Sequence, residues 1–93
     1  MLRQIIVKRK FEQAYFRPSR TDKRVVDTAL KSFGHYLETN HAPVGLGITH
    51  LGSRTYEFRA GLDRRIVYLA QEDQITLALL GSHDEVRRFL KNQ

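Results

Sequence analysis

The sequence predicts an α+β protein with the element order β-α-α-β-β-β-α. Its four-stranded, mainly antiparallel sheet would carry helices packed mainly on one face. Two observations predict this class. Apolar residues recur about every 3.6 residues in one long segment of the first half, as in a helix, and every second residue in part of the second half, as in a strand. At 93 residues, the chain has room for one domain, spanning residues 1–93.

The first half predicts one strand and two helices. Consecutive β-branched residues favour a strand over residues 3–8, and a short helical pattern follows it. A longer helix is predicted over residues 21–38, with Val26, Leu30, Phe33 and Leu37 facing the sheet. The full apolar stripe of this helix consists of Val25, Val26, Ala29, Leu30, Phe33, Tyr36 and Leu37.

Alternation of apolar and polar residues identifies the sheet segments of the second half. Tyr56 and Phe58 alternate with Glu57 and Arg59, which predicts a strand with one buried and one solvent-facing side. After a turn, residues 65–70 form the predicted return strand.

The last strand and last helix follow directly. Residues 75–80 are apolar throughout, as expected of a central strand that is covered on both faces. Ser82 and Glu85 then have the spacing of a capping box, which predicts the start of the last helix.

Charge and composition limit the classes of function. The net charge is +6, and the first 24 residues hold eight basic residues against two acidic ones, so the remainder is neutral. Such a segment attracts polyanions or an acidic protein, although it can also be an ordinary solvated face. No apolar run approaches the roughly 20 residues of a membrane span, and the N-terminal apolar stretch is too short for a secretory signal. With no cysteine in the chain, the cytoplasm is the expected compartment.

Three segments of the second half carry a resemblance to a known family. They are YEFR at residues 56–59, RIVY at residues 65–68 and GSHDEVRR at residues 81–88. Together with the order of the elements, these segments resemble the RelE/ParE toxin superfamily, and the expected fold is therefore RelE-like. The N-terminal half matches this family in pattern only.

The resemblance implies a type II toxin that a cognate antitoxin neutralises. It leaves three functions open. The first is a metal-independent mRNA endonuclease (an mRNA interferase) that acts on translating ribosomes and inhibits translation. The second is a noncatalytic, ParE-like toxin that inhibits a protein such as DNA gyrase, and the third is a non-toxic family member that serves as a binding module. We expect the first, with the basic N-terminal segment lying against ribosomal RNA.

Arginines of the predicted hairpin are the candidates for binding phosphate. In the family that this chain resembles, an arginine at the position of Arg65 contacts the scissile phosphate, and a guanidinium suits that role because it stays charged and can bind two oxygens. Arg59 lies across the turn and is a second candidate, and Arg64 is a candidate for RNA binding. The competing interpretation is that all three are solvent-facing hairpin residues.

Histidines are the candidates for proton transfer. His83 follows the last strand at the first position of a capped helix, and several mRNA-cutting branches of the family have a histidine there. Histidine titrates near neutral pH, which suits a general acid or base. Arg87 lies one helical turn later and would add positive charge. His50 is a weaker candidate beside the meander, where a plain loop histidine is the alternative.

Three features are absent from the sequence. No histidine has regular metal-ligand spacing with another histidine or a carboxylate, so no metal or other cofactor is expected. Branches that use paired lysines on the first meander strand have no counterpart here, because Thr55 and Glu57 occupy that stretch. An aromatic residue that often stacks on a base from the last helix is also missing, at Arg87.

Overall fold

A computed structural model gives the fold and describes residues 4–17 and 20–92 of the chain. Position 3, where the first strand was predicted to begin, lies outside these ranges. The elements in chain order are β1 (Gln4–Val7), α1 (Arg9–Phe16), α2 (Arg20–Thr39), β2 (Thr49–Gly52), β3 (Thr55–Ala60), β4 (Arg64–Ala70), β5 (Gln74–Gly81) and α3 (His83–Lys91).

The strands form one mixed sheet in the order β1-β5-β4-β3-β2. β1 runs parallel to β5, and the other three pairings are antiparallel. The predicted α+β class and the pairing of the first strand with the meander are therefore confirmed, but the prediction of four strands was wrong. The described residues form five, because β2 pairs with β3 in a segment predicted to be a loop.

The sequence does not reveal β2, and the reason is physical. It is four residues long, most of its side chains are exposed, and its pairing register shifts between His50 and Gly52. An exposed edge strand has no buried side, so it lacks the alternation that identifies strands.

α1 and α2 cover one side of the sheet, which we call the α1/α2 face, defined by Phe58, Ile66 and Tyr68. Phe33 of α2 stacks on Phe58 with ring centroids 4.4 Å apart. Leu30 and Leu37 are partly buried against this core, as the predicted helical register requires. The core on this face consists of Phe11, Val26, Ala29, Phe33, Leu46, Phe58, Ala60, Ile66, Tyr68, Ile75, Leu77 and Leu80.

α3 covers part of the opposite side, which we call the α3 face, defined by Glu57, Arg65 and Val67. A smaller apolar cluster of Val67, Leu79 and Val86 holds the helix there. Apolar residues on both faces of β5 are thus covered, as predicted. Two helices cover one face, and the single nine-residue helix on the other leaves part of the α3 face uncovered.

One prediction about β3 was wrong. Glu57 was placed on a solvent-facing side of the strand, yet this residue is only 6% exposed. Its carboxylate lies beside Arg65 of β4, and an ion pair lets a charged group remain where an unpaired one would be costly. Alternation located the correct face of the strand, and the pairing across the sheet explains the burial.

No helix in the described ranges is both long and apolar enough to cross a membrane.

Candidate functional site

An ion pair between β3 and β4 is the central polar feature of the α3 face. Arg65 Nη1 donates a hydrogen bond to Glu57 Oε2 at 2.5 Å. The arginine side chain is 28% exposed and that of the glutamate 8%. Glu57 therefore holds one end of a guanidinium whose side chain stays partly exposed. A planar, always charged group held in this way suits binding of an anion such as phosphate.

Arg59 lies directly across the strand pair from Arg65. Like charges at paired positions repel each other, and the two arginine side chains have different neighbours. Arg65 bonds Glu57, whereas the exposed Arg59 side chain lies against Gly47: a Cβ at that glycine would stand 3.2 Å from Arg59 Cδ and Nε. The structure thus places both predicted phosphate-binding residues on the same face, at neighbouring positions.

His83 begins α3 at the edge of this face. Arg65 pairs with Gly81 across β4 and β5, and His83 follows two residues later with an exposed side chain. The predicted capping box is confirmed: the Glu85 N–H donates to Ser82 Oγ at 3.2 Å, and the Ser82 N–H donates to Glu85 Oε1 at 2.9 Å. These bonds fix the start of the helix, and therefore the position from which His83 projects.

Glu85 is engaged in the cap. The hydrogen bond from the Ser82 backbone lowers the pKa of the Glu85 carboxyl, and the nearby positive charges of Arg88 and Arg64 lower it further. The Glu85 side chain lies on the flank of α3 that faces β5, because it lines the same groove as Lys10, Leu79 and Phe89.

Arg87 lies on the other flank of α3. It is one turn after His83 and one turn before Leu90, so the three form a single row along the helix. Since Glu85 lines the groove at β5, the His83 row lies on the opposite flank of the helix, and helical geometry leads us to expect that it faces β4 and β3. Arg87 is exposed and adds a further positive charge to this side.

Two predicted residues lie elsewhere. His50 is on the α1/α2 face: its ring contacts Tyr56 at a centroid distance of 4.8 Å, and its Nε2 lies 2.7 Å from the carbonyl oxygen of Ser53. Arg64 also lies on that side, where it lines a depression with Arg17 and Leu80. The sheet separates His50 from Arg65, whereas Arg64, at the end of β4, also approaches the start of α3, because Glu85 lines the same depression.

Glu57 is the site residue that sequence analysis missed. It was assigned a solvent-facing position, in a stretch where some branches of the family that the sequence resembles have paired lysines. Alternation along β3 was the available signal, because it places Glu57 and Arg59 on the same side of the strand. Once Arg59 is known to pair with Arg65, Glu57 becomes a diagonal neighbour of Arg65.

No group of three or more histidine or acidic side chains suited to holding a metal ion occurs in the described part of the chain.

The fold is that of small toxins from toxin–antitoxin systems. Three solved structures illustrate the likeness. A copper-bound mutant toxin from Helicobacter pylori is 23% identical with a TM-score of 0.65, over 92% of this chain and 99% of that one. YafQ from E. coli is 16% identical with a TM-score of 0.67, over 90% and 97%. A chain of the archaeal RelE–RelB complex from Pyrococcus horikoshii is 19% identical with a TM-score of 0.64, over 88% and 96%.

More particularly, the chain has the fold of the RelE-, YafQ- and YoeB-type toxins, as its sequence motifs predict. At these identities the likeness concerns the fold. Neither the protein-family models nor the curated proteins gave a match to this sequence.

Proposed function

We propose that this chain is a type II toxin that cuts messenger RNA on translating ribosomes in the cytoplasm, without a metal ion, and that an antitoxin protein neutralises it. The observation that carries the proposal is the pairing of Arg59 with Arg65 on the partly uncovered α3 face. This pair lies next to the end of β5, which leads into α3 and His83. The likeness of the fold to RelE-, YafQ- and YoeB-type toxins supports the same function.

The reaction needs few groups. The 2′-hydroxyl of one nucleotide attacks its own 3′-phosphate, so the substrate supplies the nucleophile. Negative charge then accumulates on the phosphate oxygens, and Arg65 and Arg59 stabilise it. Glu57 offsets one of these two positive charges, and Arg87 adds another, so the face retains positive charge.

Proton transfer is assigned to His83. A base must accept the proton of the 2′-hydroxyl, and an acid must protonate the departing 5′-oxygen. The His83 side chain is exposed at the first position of α3, so RNA lying across the sheet can approach it. His50, which lies on the opposite face, has no part in this step.

Glu57 acts as a positioning residue, because its carboxylate holds the guanidinium of Arg65. Glu57→Gln removes the charge and keeps a similar shape. If Glu57 only positions Arg65, this variant lowers the cleavage rate but leaves the shape of the pH–rate profile unchanged. Loss of the acidic limb of that profile would instead show that Glu57 transfers a proton.

The partners follow from the same proposal. Three of the toxin structures with this fold are complexes named DinJ–YafQ, RelE–RelB and YoeB–YefM, which supports an antitoxin partner for this chain. The ribosome would be bound through basic residues of the N-terminal segment, of which Lys8, Arg9 and Lys10 are exposed on and before α1.

The decisive experiment is cleavage of ribosome-bound mRNA by the purified protein in EDTA. Primer extension should reveal discrete cuts, and the products should carry a 2′,3′-cyclic or 3′-phosphate and a 5′-hydroxyl. His83→Ala should slow cleavage by roughly 10²–10⁴-fold. Arg65→Ala should slow it by roughly 10²–10³-fold, with RNA binding weakened less than turnover.

His50→Ala is the matched control, since it removes an exposed histidine from the other side of the sheet; cleavage should continue at the parental rate. An active His83→Ala variant would refute the assignment of the site. Failure of the parent protein to cut mRNA would favour the noncatalytic, protein-inhibiting toxin. That alternative is supported by the engagement of Arg65 with Glu57, which reduces the charge available for phosphate.

A further inference from the structure

A groove of about 380 Å³ lies between α2, the loop that precedes β2 and the end of β3. Val25 of α2 packs closely on the β3–β4 turn: a Cβ added at Gly61 would stand 2.5 Å from Val25 Cγ1. On the other side, Leu46 is held in the core, and its carbonyl accepts a hydrogen bond from the Arg59 N–H. The walls of the groove are therefore fixed by the fold.

Apolar side chains project into solvent around this groove. Val44 on one wall and Leu62 in the adjoining turn are fully exposed, and Val25 between them is 37% exposed. Single exposed apolar residues are ordinary, whereas several around one concave surface indicate a surface that another molecule covers.

The charge of the groove is positive. Arg24 lines it together with the hydroxyl groups of Thr28 and Ser32, Arg59 borders it at the end of β3, and none of its lining residues is acidic. The acidic residue nearest in sequence to its apolar rim, Asp63, lines the adjoining depression at the turn.

The exposed apolar residues and the positive charge of the groove favour one kind of binding partner over the others. A second copy of this chain, packed through the same groove about a twofold axis, would bring its own Arg24 against this one. RNA binds side chains that stack on bases, and the exposed residues here are aliphatic. A small anion would leave Val44 and Leu62 in water. A protein segment that presents apolar side chains and carboxylates together satisfies every part of the surface.

We propose that this groove is the docking site for an acidic, apolar-faced segment of the antitoxin. The identity of the occupant rests on the proposed function. Docking would place partner carboxylates against Arg24, on the side of the sheet opposite Arg65.

The test uses a defined probe. The probe is a 14-residue synthetic peptide with leucine at positions 1, 4, 8 and 11, which share one face when it is helical, and glutamate at most others. One comparison peptide has lysine for every glutamate, and another has alanine for every leucine. Titrated into the ¹⁵N-labelled protein, the first peptide should shift the amide resonances of residues 25–32, 44–47 and 59–62. The two comparison peptides should leave them unchanged.

Two matched pairs of variants sharpen the result. Val44→Asn should weaken binding by at least about tenfold, because it removes an apolar anchor, and Val7→Asn, an equal change on exposed β1, should not. Arg24→Glu should weaken binding to a similar extent, whereas Arg9→Glu, the same change of charge on α1, should weaken it far less.

The proposal is overturned if the acidic peptide causes no shifts at about 1 mM, if its shifts map to β1 or to the α3 face, or if the lysine peptide binds equally well. None of these measurements depends on RNA cleavage. A protein that binds the peptide as expected but cuts no mRNA would refute the proposed catalysis and leave the docking site in place.

Discussion

The two faces of the sheet differ in what covers them. On the α1/α2 face, a 20-residue helix and a shorter one bury a continuous set of aromatic and aliphatic side chains. On the α3 face, a nine-residue helix is held by a cluster of three buried residues, and charged side chains occupy positions beside it. The strands are the same, so the difference arises from the residues at alternate positions along each strand.

This contrast separates stability from function. Burial of apolar surface is the dominant favourable contribution to folding, and most of it lies on the α1/α2 face. The α3 face keeps two arginines, a nearly buried glutamate and an exposed histidine at places where apolar residues would pack better. Substitutions on the first face should therefore change mainly stability, and those on the second should change activity more than stability.

The largest expected effect on stability is at Phe33. Its ring is 2% exposed and stacks on Phe58, so Phe33→Ala should lower the free energy of unfolding by about 3–5 kcal/mol. Urea denaturation followed by circular dichroism measures this. The control is Phe16→Ala, since that ring is 66% exposed; its cost should stay below about 1 kcal/mol. Equal losses would show that the α1/α2 face does not dominate stability.

The next effect concerns the ion pair of the α3 face. Arg65→Met should cost about 1–3 kcal/mol, because it leaves the Glu57 carboxylate nearly buried without its partner. Glu57→Gln combined with Arg65→Met should recover part of this loss. A double-mutant cycle by urea denaturation should give a coupling energy of about 1–3 kcal/mol. A coupling near zero would mean that Glu57 does not hold Arg65 in solution.

The α1/α2 face could be predicted from the sequence, because each of its elements carries a periodic pattern. The apolar stripe that includes Val26 and Phe33 predicted both ends of α2 to within one residue. The capping residues Ser82 and Glu85 located the start of α3 for a similar reason, since the signal is local in sequence. β2 has neither a buried side nor a cap, and it was missed.

The candidate site was predictable only in part, because it depends on which residues of different strands share a face. Arg59 and Arg65 were proposed together, and the register of β3 and β4 places them side by side. Arg64 and His50 project from the opposite face, which neighbouring sequence positions do not reveal. The burial of Glu57 arises from its pairing with Arg65 and cannot be read from alternation along a single strand.

A smaller effect is expected at the start of α3. Ser82→Ala removes the acceptor of the Glu85 N–H and should cost about 1 kcal/mol. Because His83 projects from the same turn, cleavage should also fall, by a smaller factor than for His83→Ala. Unfolding and cleavage measured on the same preparation test both expectations. Ser82→Asp, which retains a capping oxygen, should restore stability, and its failure would exclude the cap as the cause.

The capping box also predicts a dependence on pH. The pKa of Glu85 is lower in the folded protein than its ordinary value of 4.5, so its contribution to stability is present above about that pH. The contribution is lost as the pH falls through the lowered, folded-state pKa. The stability difference between the parent and Glu85→Gln should therefore be largest near neutral pH and shrink below pH 4.5. Urea denaturation at several pH values measures it, and a difference independent of pH would contradict the assignment.

The smallest effect on stability is expected where α1 meets α2, at an exposed hydrogen bond. The Tyr15 hydroxyl donates to Asp27 Oδ1 at 2.7 Å, and this bond raises the pKa of the tyrosine above 10.0 because ionisation would break it beside a carboxylate. Asp27→Ala should return that pKa toward 10.0, as measured by NMR of ¹³C-labelled tyrosine, while stability at neutral pH changes little. Asp27→Asn, which keeps an acceptor without the charge, should lower the pKa by less. If neither variant alters the titration of Tyr15, the hydrogen bond between the two helices is not formed in solution, and the α1/α2 face is held by its apolar contacts alone.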